Sequence, residues 1–153
     1  MLTQEKLTKL RAAGLTVEHM TLQGSATRSL PLYLSKVQAG QPAAADTEVE
    51  NLDLTEYLVP NPAKSFLVRV KGDSMVDFGI YEDDLLIVDA SQKASPGDIV
   101  ITSVDGEFTV KKLAKVGGRM VLQPGNPKYP VIELAGRQVQ AIGVVRGSVR
   151  SFV

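Results

Sequence analysis

No cysteine, no tryptophan and a single histidine occur among the 153 residues of the chain. Without cysteine there is no disulfide framework and no zinc site of the usual thiolate kind, and the composition suits a reducing, bacterial cytoplasm. Charge of one sign is equally lacking. The 17 basic and 17 acidic residues cancel, so the chain offers no broad electrostatic footprint for nucleic acid, and no direct, specific DNA binding is expected. No apolar run approaches the ~20 residues of a membrane span and no signal-peptide core appears, so no membrane association is expected. Four tyrosines and four phenylalanines supply no row of aromatics for stacking single-stranded bases.

The scarcity of histidine limits the catalytic options. His19 lies far upstream in a helix-like stretch and is a poor partner for a Ser-His-Asp triad. Gly72 and Gly79 make no phosphate-binding loop, because no helix opening with Gly-Lys-Ser/Thr follows. Glu82-Asp83-Asp84 reads as a solvated loop tip, since three adjacent carboxylates do not converge on one ion without further ligands. No metal and no cofactor is expected.

What is present centres on Gly72-Asp73-Ser74-Met75. Phe66-Leu67-Val68-Arg69-Val70 before it is a short, β-branched run that reads as a strand. Gly72 permits an unusual backbone angle and Asp73 favours a local side-chain to backbone bond, so Ser74 stands on the turn leaving a strand. A serine hydroxyl is a weak nucleophile and needs a neighbouring base. Lysine serves where burial lowers its pKa enough to leave a neutral amine. Lys111-Lys112 follow Glu107-Phe108-Thr109-Val110, and Asp105-Gly106 before them is a strong hairpin-turn signal. The pair therefore lies on the outgoing strand of a hairpin. Adjacent strand residues point to opposite faces, so at most one of the two faces the serine. Alternation does not choose between them: Lys112 shares a face with Phe108 and Val110, Lys111 with Thr109 and Leu113.

A third feature joins these two. Val37-Gln38-Ala39-Gly40 places a pair of small residues ahead of the Pro-Ala-rich Gln41-Pro42-Ala43-Ala44-Ala45, where a flexible chain is open to cutting.

From about Leu34 to Val145 the chain resembles the UmuD-type mutagenesis proteins and, more distantly, the self-cleaving domain of LexA-type repressors. Two blocks carry the resemblance: Gly72-Asp73-Ser74-Met75 through Asp84-Leu85-Leu86-Ile87-Val88-Asp89, and Gly97-Asp98-Ile99-Val100 through Val104-Asp105-Gly106-Glu107-Phe108-Thr109-Val110-Lys111-Lys112-Leu113. The resemblance implies a serine endopeptidase with a Ser-Lys dyad that cuts itself. Ser74 is the nucleophile, Lys111 the general base and Ala39-Gly40 the bond cut. Ser74 stands 35 residues after Ala39 and 37 before Lys111, spacings that match the family. Signal peptidases, which also use serine and lysine, are set aside for want of a membrane anchor. The backbone amides of Asp73 and Ser74 are the candidate oxyanion donors.

The resemblance also implies the biology. Such proteins form homodimers and are cut when they meet the RecA filament on single-stranded DNA in the SOS response. The product, residues 40–153 here, joins a UmuC-type polymerase in translesion synthesis. Two other readings are an uncut, polymerase-regulating binding module and a LexA-like repressor without a complete DNA-binding domain.

The length suits one ordinary domain with an arm. Residues 1–39 are expected to form a flexible, partly helical N-terminal arm that self-cleavage removes. Within it, Thr3 caps a helix bearing Leu7 and Leu10 and ending near Gly14, followed by coil; Leu10–Thr16 only faintly suggests a helix-turn-helix turn. A strand-like region covers Leu30–Val37. Residues 40–65 read as linker, with one amphipathic helical turn over Leu52, Leu54, Tyr57 and Leu58 that Pro60 and Pro62 stop. Residues 66–153 form the β-rich peptidase and dimerisation domain. Its candidate strands are Phe66–Val70, Leu85–Asp89, Ile99–Val104, Glu107–Leu113, Met120–Gln123, Val131–Leu134 and Val139–Val145. Many short strands between turn signals such as Ser95-Pro96-Gly97-Asp98, Gly117-Gly118 and Pro124-Gly125-Asn126-Pro127 argue for a mainly β fold, a compact sheet sandwich or partial barrel.

Overall fold

The computed structural model describes residues 8, 16–18, 29–34, 39–40 and 48–153. Its strands are β1 (Thr16–Glu18), β2 (Ser29–Tyr33), β3 (Val49–Asp53), β4 (Ser65–Arg69), β5 (Leu85–Asp89), β6 (Ile99–Val104), β7 (Glu107–Val116), β8 (Arg119–Gln123), β9 (Ile132–Glu133) and β10 (Val139–Val149). The described residues also include an α-helix, α1 (Leu54–Leu58), and two 3-10 turns, Pro62–Lys64 and Val76–Phe78. The fold is mainly β, as the alternation of short apolar runs and turn residues requires.

The chain divides into two units. The smaller, 21–60, contains β2 and β3 paired antiparallel, with Ser29 opposite Asp53 and Tyr33 opposite Val49. Helix α1 follows at once. The Asp53 carboxylate accepts from the Thr55 and Glu56 amides at 2.8 and 3.0 Å, satisfying two of the donors that a helix start leaves unpaired. The expected helical turn is thus present, but Leu52 belongs to β3, and Leu54 and Tyr57 are exposed. Ala39 and Gly40 lie in a bend and are both exposed.

The larger unit, residues 1–20 and 61–153, holds an eight-stranded sheet of order β1-β4-β5-β10-β6-β7-β8-β9. Every pairing in it is antiparallel. Two of its hairpins follow from local chemistry. Asp105 and Gly106 have φ of 52° and 89°, and Gly117 and Gly118 have 55° and 80°. Positive φ at both central residues is the type I′ turn, whose twist matches that of the strands it joins. The β5, β6, β8 and β10 runs begin within a residue of where the sequence places them; β7 and β10 extend further, to Val116 and Val149. The run expected over Val131–Leu134 pairs only at Ile132 and Glu133.

Strand β10 is the pivot of this sheet. It lies between β5 and β6, and its register shifts twice, between Ala141 and Gly143 against β6 and between Val145 and Gly147 against β5. Bulges of this kind bend a strand and increase its twist. One consequence is a core fed from both halves of the sheet: Phe66 and Val68 of β4, Leu86 and Val88 of β5, Ile142 of β10, Ile101 of β6 and Val110 of β7 pack in one cluster with Met75 and Ile80. Strands four places apart in the order share a core only if the sheet curls around it, as in a partial barrel. A second cluster, Val100, Val104, Leu113, Leu122 and Val144, covers the other face of β6 and its neighbours.

Three findings depart from the sequence reading. Thr16–Glu18 was expected to be coil but pairs with Leu67–Arg69 of β4 as the edge strand of the large sheet. Val49–Asp53, expected to be linker, forms β3. Asp84, expected at a solvated tip, is fully buried, because Arg150 reaches across and pairs with it. Glu82 and Asp83 beside it are exposed as expected. Thr8 is helical; the rest of the expected 3–14 helix, His19 and Val37-Gln38 lie outside the described residues.

Candidate active site

Ser74 sits in the connection between β4 and β5, where Val70 still exchanges backbone bonds with Asp83 and Asp84. Gly72 has φ 88°, a region that a side chain rarely tolerates, and this lets the chain turn away immediately after β4. After Ser74 the chain tightens into the 3-10 turn Val76–Phe78, and buried Met75 anchors the turn in the core. The nucleophile candidate is therefore held from below by packing and from before by a strand.

Lys111 arrives from β7, opposite Val100 of β6. Its Nζ lies 3.1 Å from Ser74 Oγ and donates to Thr109 Oγ1 at 2.8 Å and to the Val110 carbonyl at 3.0 Å. Thr109 reaches the amine because residues two apart on a strand share a face. Lys111 is only 7 % exposed, and burial pushes its amine below the ordinary lysine range, since a charge in a low-dielectric setting is disfavoured. The geometry fits a neutral amine. Such a group has two N–H donors and one lone pair; Thr109 and Val110 take the donors, and the third direction faces the serine hydroxyl. Lys112 points elsewhere, its Nζ 4.9 Å from the centre of the Phe78 ring. Of the two lysines, Lys111 is the one whose amine lies within hydrogen-bond distance of Ser74.

A third segment closes the site, and sequence reasoning saw it only as a turn. The Gln123 end of β8 pairs with Lys112, so the loop leaving β8 begins beside the lysine pair. That loop grips the serine turn. The Gly125 amide donates to the Ser74 carbonyl at 2.7 Å, and the Asp77 amide donates back to the Gly125 carbonyl at 2.7 Å. Asn126 Nδ2 donates to the Asp73 carbonyl at 3.0 Å, and the Tyr129 hydroxyl donates to Asp73 Oδ1 at 2.5 Å. This bond holds the Asp73 carboxyl below the usual carboxylate range and raises the Tyr129 phenol in turn. Gly125 has no room for more: a Cβ there would stand 2.6 Å from Phe78 Cδ2 and 3.2 Å from the Met75 backbone. The Pro-Gly-Asn-Pro composition marked this as a turn, but nothing local shows that its polar groups serve Asp73 and Ser74.

Chemically, the arrangement offers a hydroxyl, a base of lowered pKa within proton-transfer distance, and a turn held by hydrogen bonds. A hydroxyl with a neighbouring base of this kind is the pairing that nucleophilic catalysis by serine needs. Among the described residues no group of three or more His, Asp or Glu is placed to hold a metal ion. No helix among them is long and apolar enough to cross a membrane.

Comparison with known proteins defines the class. Residues 31–146 match the model of the Peptidase S24-like family. The chain belongs to this family of peptidases and is a member of its UmuD-type branch, which serves SOS mutagenesis and the response to DNA damage. It is 46% identical over 116 residues to the protein SamA of Salmonella typhimurium, covering 75% of this chain and 81% of SamA. It is 40% identical over 127 residues to the protein MucA of Salmonella typhimurium, covering 81% and 86% of the two chains. A LexA repressor of Xylella fastidiosa is 38% identical over 140 residues, 86% of this chain but 66% of the repressor.

Proposed function

We propose that the chain is an autocatalytic serine endopeptidase in which Ser74 is the nucleophile, Lys111 its general base and Ala39-Gly40 the bond cut. The observation that carries this reading is the 3.1 Å approach of Lys111 Nζ to Ser74 Oγ with the lysine buried. Neutral Lys111 takes the hydroxyl proton as Ser74 Oγ attacks the carbonyl carbon of Ala39. The C=O bond becomes an oxyanion, with the backbone amides of Ser74 and Asp73 as its donors. As the tetrahedral centre collapses, the C–N bond breaks and Lys111 returns the proton to the departing Gly40 amine. Water, deprotonated by the same lysine, then adds to the ester and frees residues 1–39 from Ser74. Holding the bond on the same chain replaces a bimolecular encounter by an intramolecular one, an advantage on the order of 10⁵ M or more in effective concentration when the geometry is right.

In this reading residues 1–39 are a removable arm, 40–65 a connecting segment and 66–153 the peptidase and dimerisation domain. Cleavage answers the RecA filament on single-stranded DNA, and the homodimeric 40–153 product is the accessory subunit of a UmuC-type translesion polymerase. The membership in the UmuD-type branch supports this part, as do SamA and MucA, each covered over more than four-fifths of its length.

The test is mass spectrometry of wild type and Ser74→Ala after incubation with RecA, ATP and single-stranded DNA. Wild type yields a fragment beginning at Gly40, and Ser74→Ala yields none. Appearance of that fragment from Ser74→Ala, with contaminating proteases excluded, sinks the assignment.

A further inference from the structure

The peptide that joins Asp73 to Ser74 is held by side chains from the loop that leaves β8. Asn126 is 7 % exposed, and a buried amide of this kind is costly unless its polar atoms are used. They are. Its Nδ2 donates to the Asp73 carbonyl at 3.0 Å and its Oδ1 accepts from the Lys128 amide at 3.1 Å. The two partners, an acceptor and a donor, fix which end of the side chain is which. Its own carbonyl accepts from the Tyr129 amide at 3.1 Å, and Tyr129 in turn gives its hydroxyl to Asp73 Oδ1 at 2.5 Å. Asp73 is thus held at both its carbonyl and its side chain by residues 53 and 56 positions away.

The consequence lies on the far side of the peptide. No peptide bond here is cis, and in a planar trans unit the C=O and the following N–H point in opposite directions. Drawing the Asp73 carbonyl toward Asn126 therefore aims the Ser74 N–H away from that loop. We propose that Asn126, braced by Tyr129, is a positioning residue of the peptidase: it sets the direction of the Ser74 amide and so the alignment of the oxyanion donor. This rests on the reading of Ser74 as nucleophile. Asn126 touches neither the reacting atoms nor the base; it acts through the orientation of one peptide plane. An oxyanion donor contributes about 10²–10³-fold to rate when removed outright, and misaiming one forfeits part of that.

The experiment is a pH–rate series for self-cleavage of the full chain in wild type, Asn126→Asp, Tyr129→Phe and Ser74→Ala. Asn126→Asp keeps an oxygen for the Lys128 amide but replaces the donor to Asp73 with an anionic oxygen, whereas Tyr129→Phe adds no charge. The high-pH plateau falls at least about tenfold in Asn126→Asp and about threefold in Tyr129→Phe, and in the uncharged Tyr129→Phe variant the inflection stays at the wild-type pH, because Lys111 remains buried. A merely structural role gives a different signature: loosening the loop rehydrates Lys111 and moves the Tyr129→Phe inflection to higher pH, and that result overturns the proposal. So does a plateau within twofold of wild type in both variants while Ser74→Ala is inert, an outcome that leaves the peptidase reading standing. Cutting by Ser74→Ala overturns both. If Asn126→Asp does not fold, Tyr129→Phe, which removes a single oxygen, decides by the same two criteria.

Discussion

Arg150 and Asp84 form a bidentate pair that ties the last residues of the chain to the turn entering β5. Nε donates to Oδ1 at 2.5 Å and Nη2 to Oδ2 at 2.6 Å; Nη2 also reaches the Gly79 carbonyl at 3.1 Å. The guanidinium lies over the Tyr81 ring at 4.2 Å, so a planar cation is used for both its fork and its face. Asp84 further accepts from the Tyr81 amide at 2.9 Å.

This pair makes the fold acid-sensitive in a defined direction. The bonds from Arg150 hold the Asp84 carboxyl below the usual carboxylate range, outweighing its burial. A depressed folded pKa contributes stability that is complete above the unfolded value of about 3.9 and is lost as pH falls through the folded one. Arg150→Ala therefore melts several degrees lower than wild type at pH 7, and the gap narrows below about pH 4. Melting curves of the two proteins from pH 7 to 3 check this. A gap that is constant with pH would mean that the arginine acts by packing alone.

The opposite sign governs Lys111, the proposed base. Burial lowers the Lys111 pKa, so the neutral amine appears as pH rises, and desolvation can move a lysine by up to ~3–5 units. Unaided self-cleavage accelerates between neutral and mildly alkaline pH and levels off above the lowered pKa. Lys111→Ala is inactive throughout. Lys112→Ala gives up the contact with Phe78, on the order of 1 kcal/mol for a half-buried cation–ring pair, and keeps the wild-type profile. A flat wild-type profile would remove lysine as the base.

The same burial has a cost in stability. A lysine whose folded pKa is lowered resists being charged in the folded state, so stability rises with pH between that value and the ordinary one. Lys111→Met, which fills the site without a charge, melts higher than wild type at neutral and lower pH while cutting nothing. Its advantage shrinks as pH rises toward the lysine range. A variant that is less stable than wild type at pH 6 would show that the bonds to Thr109 and Val110 outweigh the desolvation.

Those contrasts show why some of the molecule was legible in its sequence. Asp105-Gly106 and Gly117-Gly118 demand positive φ, and the runs beside them demand a core, so the β6-β7-β8 hairpins follow from neighbours in the chain. β10 was readable as a strand, but its insertion between β5 and β6 was not, because pairing partners 35 residues or more away leave no local mark. β3 was missed because Val49-Glu50-Asn51-Leu52-Asp53 carries two carboxylates and little apolar surface. The serine and the lysine announced themselves as a motif. Asn126, Tyr129 and Arg150 did not, since each is an ordinary polar residue until the fold brings its partner into reach.

Thr109 offers a sharper test of the proposed base than deletion of Lys111. Its hydroxyl holds one of the amine's donors at 2.8 Å, so the lone pair is left for Ser74. Thr109→Val keeps the shape and removes the acceptor; the expected effect is a fall of roughly tenfold in cleavage rate, within the range in which a proton-transfer contribution operates. Thr109→Ser restores most of the rate. Equal rates for the valine and serine variants would show that the side chain only fills space.

The proposed cleavage point can be tested without disturbing the fold. Gly40 is exposed, and a Cβ built on it meets no atom of the described residues within 4 Å. Gly40→Glu therefore melts as wild type does. If Gly40 comes to Ser74 as the proposed cleavage requires, the same change brings bulk and a negative charge beside Lys111, whose neutral form is the proposed base; a carboxylate nearby raises the lysine pKa and withdraws that base. Cleavage falls by at least about tenfold at neutral pH, since one unit of pKa corresponds to a tenfold change in the neutral fraction. Gly40→Ala, which adds a methyl and no charge, is cut more slowly than wild type but far faster than the glutamate variant. Mass analysis of the products over time separates the three. Processing of Gly40→Glu at the wild-type rate would place the scissile bond elsewhere in the chain.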